Sequence, residues 1–134
     1  MKTIMLLVLS GLLMTGCEKN VEEKVFFSGK YSGTFERTTG AGSKVSSNVS
    51  ITFNDANYSG TSDRMKFPAI CNGTYSTKNN EIHFTNSCMW TADFDWSLIL
   101  NNDYTYKSSG DSLEIKREYA GQMTDLYKLK KEQN

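Results

Sequence analysis

This 134-residue chain is predicted to be all-β: a small antiparallel meander barrel of eight to nine strands stapled by a cross-strand disulfide. Three observations predict it. Beyond residue 26, apolar and polar residues alternate at period two, which gives each segment one dry and one wet face. Turn-forming Asn, Asp and Gly interrupt that alternation at short intervals. Counting outward from four of those turns sets apolar residues opposite apolar residues every time, as a one-sided sheet demands. The length fits one domain, and 7 Tyr, 7 Phe, 2 Trp and 10 Gly beside a single Pro suit a compact β fold better than disorder.

The first element is an address. Lys2 precedes an apolar run from Ile4 to Met14, and Thr15-Gly16 supplies small residues for cleavage. That stretch is too short for a spanning helix and reads as a signal peptide, residues 1–16. The ending Leu13-Met14-Thr15-Gly16-Cys17 resembles the lipobox of bacterial lipoproteins. The resemblance implies diacylglyceryl transfer to the Cys17 thiol, cleavage before it, and acylation of the new amine with a fatty acid such as palmitate. It implies a place in the bacterial cell envelope, anchored most naturally at the outer membrane. Each buried methylene adds about 0.8 kcal/mol, so several acyl chains hold a domain on a bilayer. Removing the signal takes Lys2, its one charged residue, and leaves the chain one unit negative. Residues 17–25 are then a polar, lipid-anchored tether, and residues 26–134 the domain.

Along the domain, Tyr31, Gly33 and Phe35 alternate, then Val49, Ile51 and Phe53, then Tyr58 and Gly60. Asn79-Asn80 suits a two-residue hairpin loop, because Asn tolerates positive φ. Counting outward pairs Lys78 with Glu81, Thr77 with Ile82, Tyr75 with Phe84, Gly73 with Asn86 and Cys71 with Cys88. The two cysteines fall opposite each other in an exported chain, which predicts a disulfide; the other reading is two buried free thiols. Asn101-Asn102-Asp103 as a loop pairs Leu100 with Tyr104 and Leu98 with Tyr106, with Trp96 facing inward. Gly110-Asp111 pairs Tyr106 with Ile115 and Ser108 with Leu113. Ala120-Gly121-Gln122 pairs Ile115 with Tyr127 and Leu113 with Leu129. Nine strands result, and an odd meander closes parallel, so either residues 57–63 are partly loop or closure is incomplete. A sheet of this size curls and closes.

Gly29-Lys30-Tyr31 on the first strand and the closing strand over residues 125–131 resemble small bacterial lipocalin-like (calycin-type) barrels. The resemblance implies a mouth that admits ligand. The meander gathers segments 37–46, 63–68 and 88–93 at one end, with the turns at 79–80, 101–103 and 120–122 at the other. The mouth would then hold Lys44, Arg64, Met65, Lys66, Met89 and Trp90. The candidate ligand-binding set is Tyr75, Phe84, Trp90, Trp96, Arg64 and Lys66; the competing reading is that inward aromatics simply fill the barrel.

Arg117 falls on the inward face opposite Asp125, where the two read as a structural ion pair. Asp93 and Asp95 bracket Phe94 and read as a solvated face, not an acid–base pair. Gly40-Ala41-Gly42-Ser43-Lys44-Val45 lacks the first Gly and the hydroxyl of a phosphate loop. The single His, His83, faces away from the cysteines, so neither a zinc set nor a His-dependent triad assembles. Asn48, Asn57 and Asn72 stand in N-x-[ST] triplets, and Asp111-Ser112-Leu113 resembles a bacterial O-glycosylation acceptor. Balanced charge, 15 basic against 15 acidic side chains, argues against nucleic acid. The expectation is a non-enzyme without metal or cofactor. It binds either a small apolar or amphipathic ligand inside the barrel, or a protein or glycan through its loops.

Overall fold

The structure is a computed structural model describing residues 16–134. The signal segment read from the sequence lies, except for Gly16, outside the described residues; Cys17 is exposed and not disulfide-bonded. Eight antiparallel strands follow one another around a closed barrel. They are β1 (Gly29–Thr38), β2 (Lys44–Asn54), β3 (Asn57–Ser62), β4 (Asn72–Lys78), β5 (Glu81–Asn86), β6 (Asn102–Ser109), β7 (Ser112–Glu118) and β8 (Thr124–Lys131). Closure comes from β8 pairing with β1, with Phe35 beside Tyr127 and Arg37 beside Asp125.

Alternation gives the wall its two faces. Tyr31 and Phe35 of β1, Val49, Ile51 and Phe53 of β2, and Tyr75 of β4 point inward and are buried. So do Ile82 and Phe84 of β5, Tyr104 and Tyr106 of β6, Leu113 and Ile115 of β7, and Tyr127 and Leu129 of β8. Their neighbours along each strand are polar and mostly exposed. Glycine matters at Gly33 and Gly73. A Cβ there would sit 1.9 Å from the Lys128 carbonyl oxygen and 2.0 Å from that of Thr85, so only glycine lets the adjacent strands coil this closely.

Three of the four counted turns hold their register. Tyr75 faces Phe84 across the Asn79-Asn80 loop, with Asn79 at φ 54°. Tyr106 faces Ile115 across Gly110-Asp111, and Ile115 faces Tyr127 across residues 120–122. The fourth does not. The segment read as a strand ending at Leu100 is a loop carrying a 3₁₀ turn at Trp96–Leu98, and β6 pairs with β5 instead, Ile82 facing Tyr104. The even strand count therefore comes from losing this segment, while residues 57–62 form a complete strand. Trp96, expected to face inward, is 56% exposed.

Both ends of the barrel are stoppered. At one end the chain before β1 crosses the opening, and Phe27 drops among the rings of Phe53 and Tyr106, each 5.4 Å away, and of Tyr31 and Tyr75. Two side chains clamp this strap by donating and accepting at once. The Thr77 Oγ1 accepts from the Val25 N–H and donates to the Val25 carbonyl, each at 2.7 Å. The Tyr75 hydroxyl accepts from Phe27 N–H at 2.8 Å and donates to its carbonyl at 3.3 Å. At the opposite end, Leu98 and Leu100 cap the interior. Ala69 and Leu100 hold them in place, the Ala69 N–H donating to the Leu98 carbonyl and the Leu100 N–H to the Ala69 carbonyl. The Tyr58 hydroxyl donates to the Leu100 carbonyl at 3.0 Å.

Candidate functional site

The loops between β3 and β4 (residues 63–71) and between β5 and β6 (residues 87–101) meet at the end opposite the strap. The turns between β1 and β2 and between β7 and β8 stand beside them, so residues 120–122 belong to this end, not to the far one as the sequence count placed them. The 101–103 stretch likewise leads off the loop-bearing end into β6.

Several independent ties join the two long loops. The first is the Cys71–Cys88 disulfide, with Cα atoms 6.3 Å apart just beyond the last rungs of β4 and β5. That separation exceeds the close approach of a directly opposed pair, because the ladder has ended at Gly73 and Asn86. The second is Lys66, whose Nζ donates to Thr91 Oγ1 and Asp93 Oδ1, each at 2.8 Å, and lies 5.0 Å from the centre of the Phe94 ring. Thr91 in turn hydrogen-bonds Asp93. The Trp96 indole N–H donates to the Thr91 carbonyl at 2.9 Å, and Trp90 packs edge-on against Phe94. Arg64 lies over Phe67, which packs on Phe35 inside the barrel.

Beneath the loops sits a charge cluster centred on Arg37. Its guanidinium donates twice to Asp125, from Nε and Nη2 at 2.6 Å each, and from Nη1 to Asp95 at 2.9 Å and Ser97 Oγ at 3.0 Å. Asp95 also accepts from the Ser97 N–H and thereby caps the 3₁₀ turn. The Tyr119 hydroxyl lies 2.8 Å from Asp125 Oδ2 and 3.0 Å from the Ser97 carbonyl. Arg37 is 7% exposed and Asp125 1%. Burial works against the Arg37 charge, but the Asp125 carboxylate more than offsets it and holds the guanidinium protonated. Burial, reinforced by Asp125, pushes the Tyr119 hydroxyl up.

This cluster corrects the pairing read from sequence. Arg117 does face Asp125 in the β7–β8 register, yet its guanidinium turns to the Asn101 carbonyl and lies over the Tyr119 ring at 4.7 Å. Asp125 belongs to Arg37. The signal was present: Arg37 continues the inward set Tyr31, Gly33, Phe35 by one more step of two.

The candidate ligand set divides in two. Tyr75 and Phe84 lie in the filled interior, with Phe53 4.9 Å from Tyr75 and Tyr58 5.0 Å from Phe84. Arg64, Lys66, Trp90 and Trp96 lie at the loop-bearing end beside Met65, 90% exposed, and Met89, 99% exposed. Five clefts run along outer strand faces and residues 18–22, and neither Tyr75 nor Phe84 lines any of these five. Among the described residues, no three His, Cys, Asp or Glu side chains gather as a metal site; His83 pairs with Asp103 on the outer wall at 2.6 Å.

Two expected results concern these ties. Reduction, or Cys88→Ser, removes a link contributing about 3 kcal/mol in the chain-entropy model and should lower the melting temperature by roughly 10 °C. Calorimetry with thiol titration measures this; an unchanged melting point would show the link to be energetically idle. The Lys66 brace should also survive acid. Hydrogen bonds from Lys66 and Thr91 hold the Asp93 pKa down at about 2, from an ordinary 3.8. A depressed carboxylate contributes stability that is present above its unfolded value and is lost as pH falls through the folded one. Near-ultraviolet circular dichroism of Trp90 and Trp96 should therefore hold steady down to about pH 3. A transition centred on ordinary carboxylate values would contradict the brace.

Comparison with protein-family models, with curated proteins and with solved structures finds no match.

Proposed function

We propose that the chain is a lipid-anchored, non-catalytic lipoprotein of the bacterial envelope whose loop-bearing end recognises a protein partner. The observation that carries this reading is the filled interior: Tyr75, Phe84 and Tyr127 belong to one buried cluster that also takes in Phe27 of one stopper and Leu98 and Leu100 of the other. A barrel packed in this way serves as a scaffold, not a container. The resemblance to lipocalin-like barrels is accordingly read as kinship of scaffold and not of cargo. What the scaffold presents suits protein recognition. Two almost fully exposed methionines and an exposed Trp stand on cross-braced loops, and Met and Trp are enriched at protein interfaces. Loops ordered beforehand lose less entropy on binding. The anchor on Cys17 hangs from the strap, so the loops stand at the end of the barrel farther from it.

Native mass spectrometry and site-specific photo-crosslinking in the producing cells test the reading. A photoreactive residue at Met89 or Met65 should give one discrete protein adduct, diminished by Trp96→Ala and absent when the probe sits at Thr105 on the outer wall. A stoichiometric lipophilic molecule co-purifying with the barrel, or identical adducts from all three positions, would overturn it.

A further inference from the structure

The outer wall beside the strapped end carries a surface of different chemistry. Lys107 of β6, Glu114 of β7 and Lys128 of β8 form one cross-strand row, and Ser109, Ser112, Lys130 and Ser32 form the next, running from β6 to β1. These rows line a shallow cleft of about 470 Å³, together with Ser108, Gly33, Leu113 and Leu129, which give it an apolar floor between the two charged rows. Lys107, Lys128 and Lys130 form no ion pair among the described residues, whereas Lys30, Lys44, Lys66, Lys78 and Lys116 each have a carboxylate partner. Glu114 is the one carboxylate in the cleft, so positive charge remains in excess. Three ammonium groups outnumber Glu114, which stands opposite Lys107 and Lys128, and the Ser32 hydroxyl already donates to Glu132, so the donors left over are ammonium N–H groups, the chemistry that receives phosphate oxygens.

Position says which phosphates. The strap is tied down at Glu23 by the Asn79 N–H and at Glu22 by Lys78. The chain from Cys17 to Glu22 spans at most roughly 17 Å, so a lipid on Cys17 holds this end of the barrel at the headgroup layer. We propose that the β6–β7–β8–β1 wall rests on the anionic phospholipid headgroups of the membrane that holds the anchor, and fixes the tilt with which the loops are displayed. The proposal rests on the lipoprotein reading above.

The test uses the intact protein extracted from its own membranes and reconstituted in two kinds of vesicle. One is phosphatidylcholine alone; the other is equal parts phosphatidylcholine and phosphatidylglycerol. Amine acylation read by peptide mass spectrometry should fall severalfold at Lys107, Lys128 and Lys130 on the anionic vesicles only. Lys44, at the loop-bearing end, should be unchanged, and high salt should abolish the protection. Equal labelling on both vesicles overturns the proposal. So does equal protection by inorganic phosphate without vesicles, which would make the cleft a free-anion site. The mass of the Cys17 peptide reports the anchor separately. Should it carry no lipid, co-sedimentation of the soluble chain with anionic vesicles decides instead. Binding that weakens about tenfold in the exposed-site variant Lys128→Gln/Lys130→Gln supports the wall, and binding unaffected by it overturns the wall.

Discussion

Asp125→Ala is expected to cost about 3–5 kcal/mol, because it strands the buried Arg37 charge without its bidentate partner. For a domain of this size that corresponds to a melting temperature lower by about 15 °C. The effect should spread beyond the interior. Arg37 also holds Asp95 and Ser97, so losing its alignment loosens the loop that carries Trp96 and should weaken any partner complex along with the fold. Two further variants separate charge from packing. Arg37→Met combined with Asp125→Leu should recover much of the lost stability, since replacing both members of a buried pair with apolar residues is often nearly neutral. Arg117→Ala should cost under about 1 kcal/mol, because that side chain is half-buried, makes one long hydrogen bond and rests on a ring. Chemical denaturation of the three variants measures the ordering. A loss at Arg117→Ala as large as that at Asp125→Ala would reinstate the pairing read from the sequence.

That mistaken pairing shows where the sequence stops being informative. Asp125 has an arginine on each side, Arg117 across β7 and Arg37 across β1. The first neighbour follows from a local turn, by counting. The second exists only because the barrel closes, and no hairpin count reaches across the seam between the first and last strands. The hairpins at 79–80 and 110–111 were legible for the complementary reason: a turn residue and period-two alternation together fix a register. The segment over 94–100 satisfied the same alternation and misled. Trp96, Leu98 and Leu100 have the spacing of a strand, but Asp95 caps a turn there, and the leucines enter the barrel from its end instead of its wall. A loop that inserts alternate residues into an opening imitates a strand in sequence. Of the candidate site, the loop residues Arg64, Lys66, Met65, Met89 and Trp90 were legible as neighbours from topology alone. Their bracing through Thr91, Asp93 and Asn86 depends on side-chain geometry that spacing does not encode.

Phe27→Ala is expected to be the other severe change, costing about 3–5 kcal/mol, since it deletes a buried ring and leaves space where the surrounding barrel can relax only in part. The residue reads from sequence as the start of the domain, yet it touches four rings drawn from β1, β2, β4 and β6. The strands themselves are pinned by their ladder, so the space should persist as a dry pocket lined by Tyr31, Phe53, Tyr75 and Tyr106. Such a pocket takes up small apolar molecules. Benzene or indole should therefore bind the variant saturably and raise its melting temperature by mass action, while leaving the parent chain unchanged. The two responses together discriminate the functional readings. A parent barrel that already holds space for cargo would take up the probe as readily as the variant does, and removal of Phe27 would then do little. A barrel whose floor is occupied by its own chain responds only when that residue is cut away. Because the same strap continues to Cys17, the ring that fills the floor also fastens the stretch before β1 to the core, and Phe27→Ala should loosen the strap as it opens the pocket. Faster hydrogen exchange at the Val25 and Phe27 amides, whose acceptors are Thr77 and Tyr75, would report that second effect directly.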